Sequence, residues 1–254
     1  MVIRIKMPYS IISYGLSDIG LVRQKNEDYW AEIQPLHFYI LADGMGGHLG
    51  GEVAAKEAVK TVVGFIQKVF AKKDFSVEEA QGIIHYAFEY ANKVVYEKGC
   101  ENYSLKGMGT TLCCVFFYKK SVIIASVGDS RIYRLRDNQF EQLTKDHSLL
   151  REMLDKGQLD EDQATEFLYK NIITKAIGTE VAIEPFLYSE ECQVGDILLL
   201  CSDGLTDMLS NEEIQKILQQ LKPELAAKKL IALAKKRGGY DNITVIVLQV
   251  QESL

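Results

Sequence analysis

The chain has 254 residues, 47% of them apolar and 25% charged, values that suit one domain with a sizeable core and exclude a disordered or low-complexity chain. Its net charge is -6, with acids spread along the whole length, which excludes the basic footprint of a nucleic-acid binder. No segment reaches the apolar length of a membrane span, and Met1 to Ser10 lacks the apolar run and cleavage site of a signal peptide, so no membrane partner and a cytoplasmic location are expected.

In chain order, apolar or alternating runs predict strands around Ile12 to Leu16, Tyr29 to Ile33, Phe38 to Ala42, Thr111 to Tyr118, Val122 to Val127, Ile132 to Leu135, Ile172 to Ile177, Ile183 to Tyr188, Ile197 to Cys201 and Ile243 to Val250, about ten in all. Short connections such as Lys119-Lys120-Ser121 and Asp137-Asn138-Gln139 favour antiparallel hairpins over crossovers. Between strands, Ala55, Ala58, Val59, Val62, Val63, Ile66, Val69 and Phe70 recur at steps of three and four, which puts one apolar stripe on one helix face. Further helices are predicted over Val77 to Glu97, Asn211 to Leu218 and Pro223 to Lys235, with Pro223 suited to a first turn. Ser148 to Lys170, rich in charge and broken at Gly157, reads as a surface flap. The five cysteines show no Cys-x-x-Cys spacing, so neither a thiolate zinc site nor a disulfide framework is expected; reduced core residues are.

Three of the apolar runs end at or just before an aspartate: Phe38 to Ala42 before Asp43, Val122 to Val127 before Asp129, and Ile197 to Cys201 before Asp203. Asp241 stands just ahead of the last run. Carboxylates at the ends of buried strands lie where a sheet opens to solvent. With four histidines in the chain, none paired, an oxygen-only set selects a hard cation, Mg²⁺ or Mn²⁺. Singly, each aspartate reads more readily as a solvated turn residue than as a ligand.

Order and context decide between these readings. Arg23-Gln24-Lys25-Asn26-Glu27-Asp28, Ala42-Asp43-Gly44-Met45-Gly46-Gly47, Gly109-Thr110-Thr111, Gly128-Asp129-Ser130-Arg131, Lys145-Asp146-His147-Ser148, Ala176-Ile177-Gly178, Ser202-Asp203-Gly204 and Asp241-Asn242-Ile243-Thr244 follow one another along nearly the whole chain. In that order they resemble the motifs of the metal-dependent protein serine/threonine phosphatases, type 2C or PPM, in their bacterial branch. The resemblance implies an α+β fold, a four-layer α-β-β-α sandwich with two central antiparallel sheets flanked by helices, built as a single catalytic domain over 1–254 with a flap near 148–170. It implies hydrolysis of phosphoserine and phosphothreonine by direct attack of a water or hydroxide that bridges two Mn²⁺ or Mg²⁺ ions, without a covalent phosphoenzyme.

Residue by residue, the resemblance makes Asp43 the carboxylate shared by both ions, Gly44 a carbonyl ligand, and Asp203 and Asp241 ligands of one ion. Glu27 would hold the other through water. Asp129, with Asp203, would take a third and weaker ion beside the flap. Arg23 would grip the phosphate, a task suited to its planar fork. Asp28 and Asn242 are expected beside the ligands rather than on the metal. Partners implied by the resemblance are phosphorylated proteins, substrates of a serine/threonine kinase and the kinase itself; a monomer is expected.

Gly44, Gly46 and Gly47 are expected to turn the backbone off the strand, Thr110 and Thr111 to serve structure through hydroxyl bonding, Asp146 or Ser148 to cap a helix, and His147 to be structural. Many eukaryotic members carry a histidine after the Asp-Gly pair; here Met45 stands there, and metal-held water, rather than His48, is the expected proton source. Two other classes fit the acids alone: a binding module that kept the fold without turnover, whose mark would be a missing ligand, and a phosphodiesterase acting on small or nucleotide substrates.

Overall fold

The computed structural model describes residues 7–45, 50–160, 163, 167, 169 and 172–253. Strands β1 (Tyr9–Asp18), β2 (Asp28–Ile33) and β3 (Phe38–Met45) lead into helices α1 (Gly50–Phe70) and α2 (Val77–Glu101). Then follow β4 (Gly109–Thr110), β5 (Leu112–Tyr118), β6 (Ser121–Val127), β7 (Arg131–Arg136), β8 (Gln139–Gln142) and helix α3 (Leu149–Asp155). The chain closes with β9 (Phe186–Glu191), β10 (Ile197–Cys201), α4 (Asp203–Thr206), α5 (Asn211–Gln220), α6 (Pro223–Lys236) and β11 (Ile243–Glu252).

The alternation along β5 shows why two sheets stack. Every residue of β5 is buried, so both faces need cover. Leu112, Cys114, Phe116 and Tyr118 join α1 and α2 in one core, while Cys113, Val115 and Phe117 meet Ile132, Leu198, Leu200 and Ile246 of the other sheet. The period of two on a strand imposes that division. β11 repeats it: Ile243, Val245 and Val247 pack under α5 and α6, and Ile246, Leu248 and Val250 face the partner sheet. The sheets run β1-β11-β10-β7-β8 and β2-β3-β5-β6-β9, with β4 added to β3, and every pairing is antiparallel. The four-layer sandwich expected from the sequence is the fold observed.

Local chemistry fixes the helices. Ser76 and Glu79 close a reciprocal capping box on α2, worth about 1 kcal/mol, and Pro223 opens α6. Four expectations change. Ile172 to Ile177 is not a strand: Thr174 N bonds to His147 O and Ile177 N to Thr110 O, so its backbone is shared between the segment before α3 and strand β4 through isolated bridges instead of one ladder. The strand expected at Ile183 begins at Phe186, because Pro185 lacks an N–H and restrains its neighbour. β4 and β8 were illegible as apolar runs, the first being two residues long and the second exposing three of its four. Cys113, Cys114, Cys192 and Cys201 are buried and free, whereas Cys100 is exposed.

Pairing registers bring the acids to one end. Asp28 faces Asp43 across β2 and β3. Cys201, two residues before Asp203, lies between Val245 and Arg131, and Asp18 pairs with Ile243, which puts residues 19–27 beside Asp241. Of the predicted flap, α3 is described and is capped by the Ser148 hydroxyl, which accepts from Arg151 N at 3.3 Å.

Candidate metal centre

Asp43 is placed from Thr110 of β4 and Thr111, the residue between β4 and β5. Its N–H donates to Thr111 Oγ1 at 2.9 Å, its carbonyl accepts from Thr110 Oγ1 at 2.8 Å, and Thr111 Oγ1 meets Ser130 Oγ at 2.7 Å. The structural role expected of the two threonines is therefore to fix the backbone of an acid. Gly44 does not turn the chain off the strand as expected; it continues β3 and pairs with Thr110. Glycine is required there for closeness, since a Cβ would stand 2.2 Å from Gly51 O and 2.7 Å from Glu27 O. Gly46, Gly47 and His48 lie outside the described residues.

Asp28, buried, accepts from Thr244 Oγ1 at 2.6 Å and Ser202 Oγ at 2.8 Å on one oxygen, and its Oδ1 has no hydrogen-bond partner. Asp203 Oδ1 is equally without one. Asn242 is the clasp: its Oδ1 accepts from Glu27 N at 2.8 Å, and its Nδ2 donates to the carbonyls of Ile19 and Lys25 at 3.0 and 2.9 Å. Glu27 reaches toward the start of α1, where a Cβ on Gly51 would lie 2.5 Å from its Oε2. Arg23 and Asp241, expected to hold phosphate and metal, hold each other here at 2.7 Å. Asp129 follows β6, next to Arg131, whose guanidinium is clamped by Asp146 at 2.7 to 3.2 Å; Asp146 thus serves Arg131 and does not cap α3.

The acids repel one another. Burial, and after it Asp28, Asp203, Asp129 and Asp241, pushes the Asp43 carboxyl well above the ordinary range. Burial followed by Asp129, Asp241 and Asp207 raises Asp203 to about 8. Asp129 goes to about 6 through burial and Asp146. Burial lifts Asp28 to about 6 against the two hydroxyls that bond it. His147 is lowered, first by burial and then by Lys175, and its Nδ1 accepts from Gly128 N at 3.2 Å, the structural use expected of it. Asp207, unremarked in the sequence, belongs to this group; its signal was the four-residue step from Asp203, one helical turn, which Asp207 N closes at the end of α4 by bonding to Asp203 O at 2.8 Å.

Mutual repulsion and orphaned buried oxygens are the state of a donor set suited to cations. Carboxylates and a carbonyl, without thiolate, fit Mg²⁺ or Mn²⁺. Among the described residues, no three His, Cys, Asp or Glu side chains converge into a finished coordination sphere; Asp241 is held by Arg23 and by Asn242 N.

Residues 21–236 match the model of the family described as protein phosphatase 2C. The chain belongs to that family. Serine/threonine phosphatase Stp of Listeria welshimeri is 38% identical over 240 residues, covering 92% of this chain and 93% of that protein. Protein phosphatase PhpP of Streptococcus pneumoniae is 39% identical over 242 residues, covering 93% and 96%. Among solved structures, the Mycobacterium tuberculosis serine/threonine phosphatase PstP/Ppp superposes with a TM-score of 0.87 at 33% identity, covering 95% of this chain and 99% of that one. The catalytic domain of PstP in complex with two manganese ions gives 0.84, also at 33%, covering 95% and 99%. The enzyme class expected from the sequence, a metal-dependent protein serine/threonine phosphatase, is borne out. Among the described residues no helix is long and apolar enough to cross a membrane.

Proposed function

We propose that this chain is a cytoplasmic, monomeric, single-domain phosphatase that hydrolyses phosphoserine and phosphothreonine in proteins phosphorylated by a serine/threonine kinase, the kinase included. The observation that carries the reading is the gathering of Asp28, Asp43, Asp129, Asp203 and Asp241 at one end of the two sheets, where their like charges repel.

Asp43, the Gly44 carbonyl, Asp203, Asp241 and Glu27 would hold two Mn²⁺ or Mg²⁺ ions, and Asp129 with Asp203 a weaker third. Such a pair lowers the pKa of water toward neutrality and offsets charge on the phosphoryl group. The protein's own work is positional. Thr110 and Thr111 hold the Asp43 backbone, Ser202 and Thr244 orient Asp28, and Asn242 ties the loop of Glu27 to the turn of Asp241. Arg23, half-exposed and paired with Asp241, is the group available to a phosphate, whose two oxygens suit its fork. Exchange of its partner from carboxylate to phosphate leaves Asp241 for a cation. Met45 offers no proton, so water protonates the leaving alkoxide.

Rates on a phosphothreonine peptide, an aryl diester and a nucleotide test the substrate class. The phosphopeptide is expected to be the best substrate; a diester or nucleotide turned over faster would favour the phosphodiesterase reading, and no turnover of any would favour a binding module.

A further inference from the structure

Residues 19–25 leave β1 and lie across the turn 238–241. Leu21 N donates to Gly239 O at 2.8 Å, and Asn242 holds the carbonyls of Ile19 and Lys25. Gly20, at φ +81°, sits so close that a Cβ would be 2.2 Å from Asp241 O. The backbone is thus pinned along its length, yet Leu21 is 63%, Val22 59% and Tyr240 62% exposed. Two glycines floor the feature. A Cβ on Gly239 would lie 3.2 Å from Leu21 Cγ, and one on Gly238 would lie 2.5 Å from Tyr240 Cε2, so both side chains rest along the turn. Val22 directly precedes Arg23 and Tyr240 directly precedes Asp241, the two residues joined at 2.7 Å. Leu21 and Tyr240 thus lie along one turn, with Val22 exposed between Leu21 and Arg23 in the chain, on a frame fixed by hydrogen bonds beside the acids, where none of the three is buried in a core.

We infer that this shelf is a binding site for an apolar side chain of the substrate polypeptide, within three residues of the phosphorylated serine or threonine. The inference rests on the phosphatase reading and specifies its substrates. An extended peptide advances about 3.3–3.6 Å per residue, so a phosphate held by Arg23 brings its flanking side chains toward a surface whose residues Val22 and Tyr240 directly precede Arg23 and its partner Asp241 in the chain. A frame already fixed by hydrogen bonds needs little ordering when the peptide docks.

Metal-loaded protein is assayed on phosphothreonine peptides identical except for leucine or serine at each position from three before to three after the phosphoresidue. At one or more positions leucine is expected to raise kcat/KM about tenfold or more, mainly through KM. Leu21→Ser with Tyr240→Ser is expected to bring the leucine-to-serine ratio near one, and Leu21→Met with Tyr240→Phe to keep it. Equal rates on all peptides in the unaltered protein, or a preference that survives the double serine variant, overturns the inference while leaving the phosphatase reading intact. Hydrolysis of an aryl phosphate with none of any phosphopeptide overturns both. A sedimenting dimer that the serine variant dissociates, with no peptide preference, assigns the shelf to a second copy and also overturns it.

Discussion

Strand β7 joins two ends of the molecule that treat buried carboxylates in opposite ways. At its far end, Arg136 grips Asp196 with Nε and Nη2 at 2.6 and 2.7 Å, and Gln193 N donates to the same acid at 2.9 Å. Asp196 is 1% exposed and both its oxygens are answered from within the chain. At the near end, Asp28 and Asp203 each leave a buried oxygen without a partner, and the neighbours of Asp203 are other acids. A folded chain can satisfy a buried carboxylate permanently with arginine. Where it withholds arginine from several at once, the charge is reserved for something that binds and leaves.

Substitutions at the two ends should separate activity from stability. Asp203→Asn is expected to cut kcat/KM on a phosphothreonine peptide by about 10³-fold, or ~4 kcal/mol, while the metal-free variant unfolds no earlier than the parent, because one member of a repelling group is gone. A Tm well below the parent's would place Asp203 on the structural side of the comparison. Asp196→Ala should do the reverse. It strands Arg136 and is expected to cost about 3–5 kcal/mol of stability by denaturant unfolding, with kcat/KM per folded molecule unchanged.

The pH response should sharpen the contrast. In metal-free protein the acids of the site hold protons in the folded state to about 6 for Asp28 and Asp129 and about 8 for Asp203, against about 4 in an unfolded chain. Folded values above unfolded ones mean that their contribution is fully present below about pH 4 and is lost as pH rises through 6 to 8. Thermal unfolding without metal is therefore expected to fall by several degrees between pH 5.5 and 8.5, and excess Mn²⁺ should abolish the fall. A Tm that is flat with pH in chelator would contradict the crowding of acids. The smallest effect belongs to a support. Thr111→Val removes the acceptor of Asp43 N and the partner of Ser130. It should cost ~1–3 kcal/mol of stability and roughly tenfold in kcat, measured with saturating metal.

What the sequence showed and what it hid divide along the same physical line. Patterns local to one strand were legible: the alternation of β5 and β11, and acids at strand ends as at Asp43 and Asp203. Contacts set by register between distant strands were not. Nothing near Asp28 announces that Ser202 and Thr244 will bond it, and nothing near Arg23 announces its pairing with Asp241, since both depend on how β1 and β10 align with β11. Elements with little apolar content of their own, such as β8 with Phe140 alone, take their form from a neighbouring strand. Cys100 was expected in the core by residue type, yet the exposed side of α2 carries it, because helical phase outranks type.

Titration of metal-free protein with Mn²⁺, with bound ions and phosphothreonine-peptide turnover followed together, bears most directly on the site. Two tightly held ions per chain are expected, with activity absent before they bind and rising as they fill, and with Asp43→Asn losing both. Turnover that persists in chelator, or full binding of two ions by the Asp43→Asn variant, would contradict the assignment.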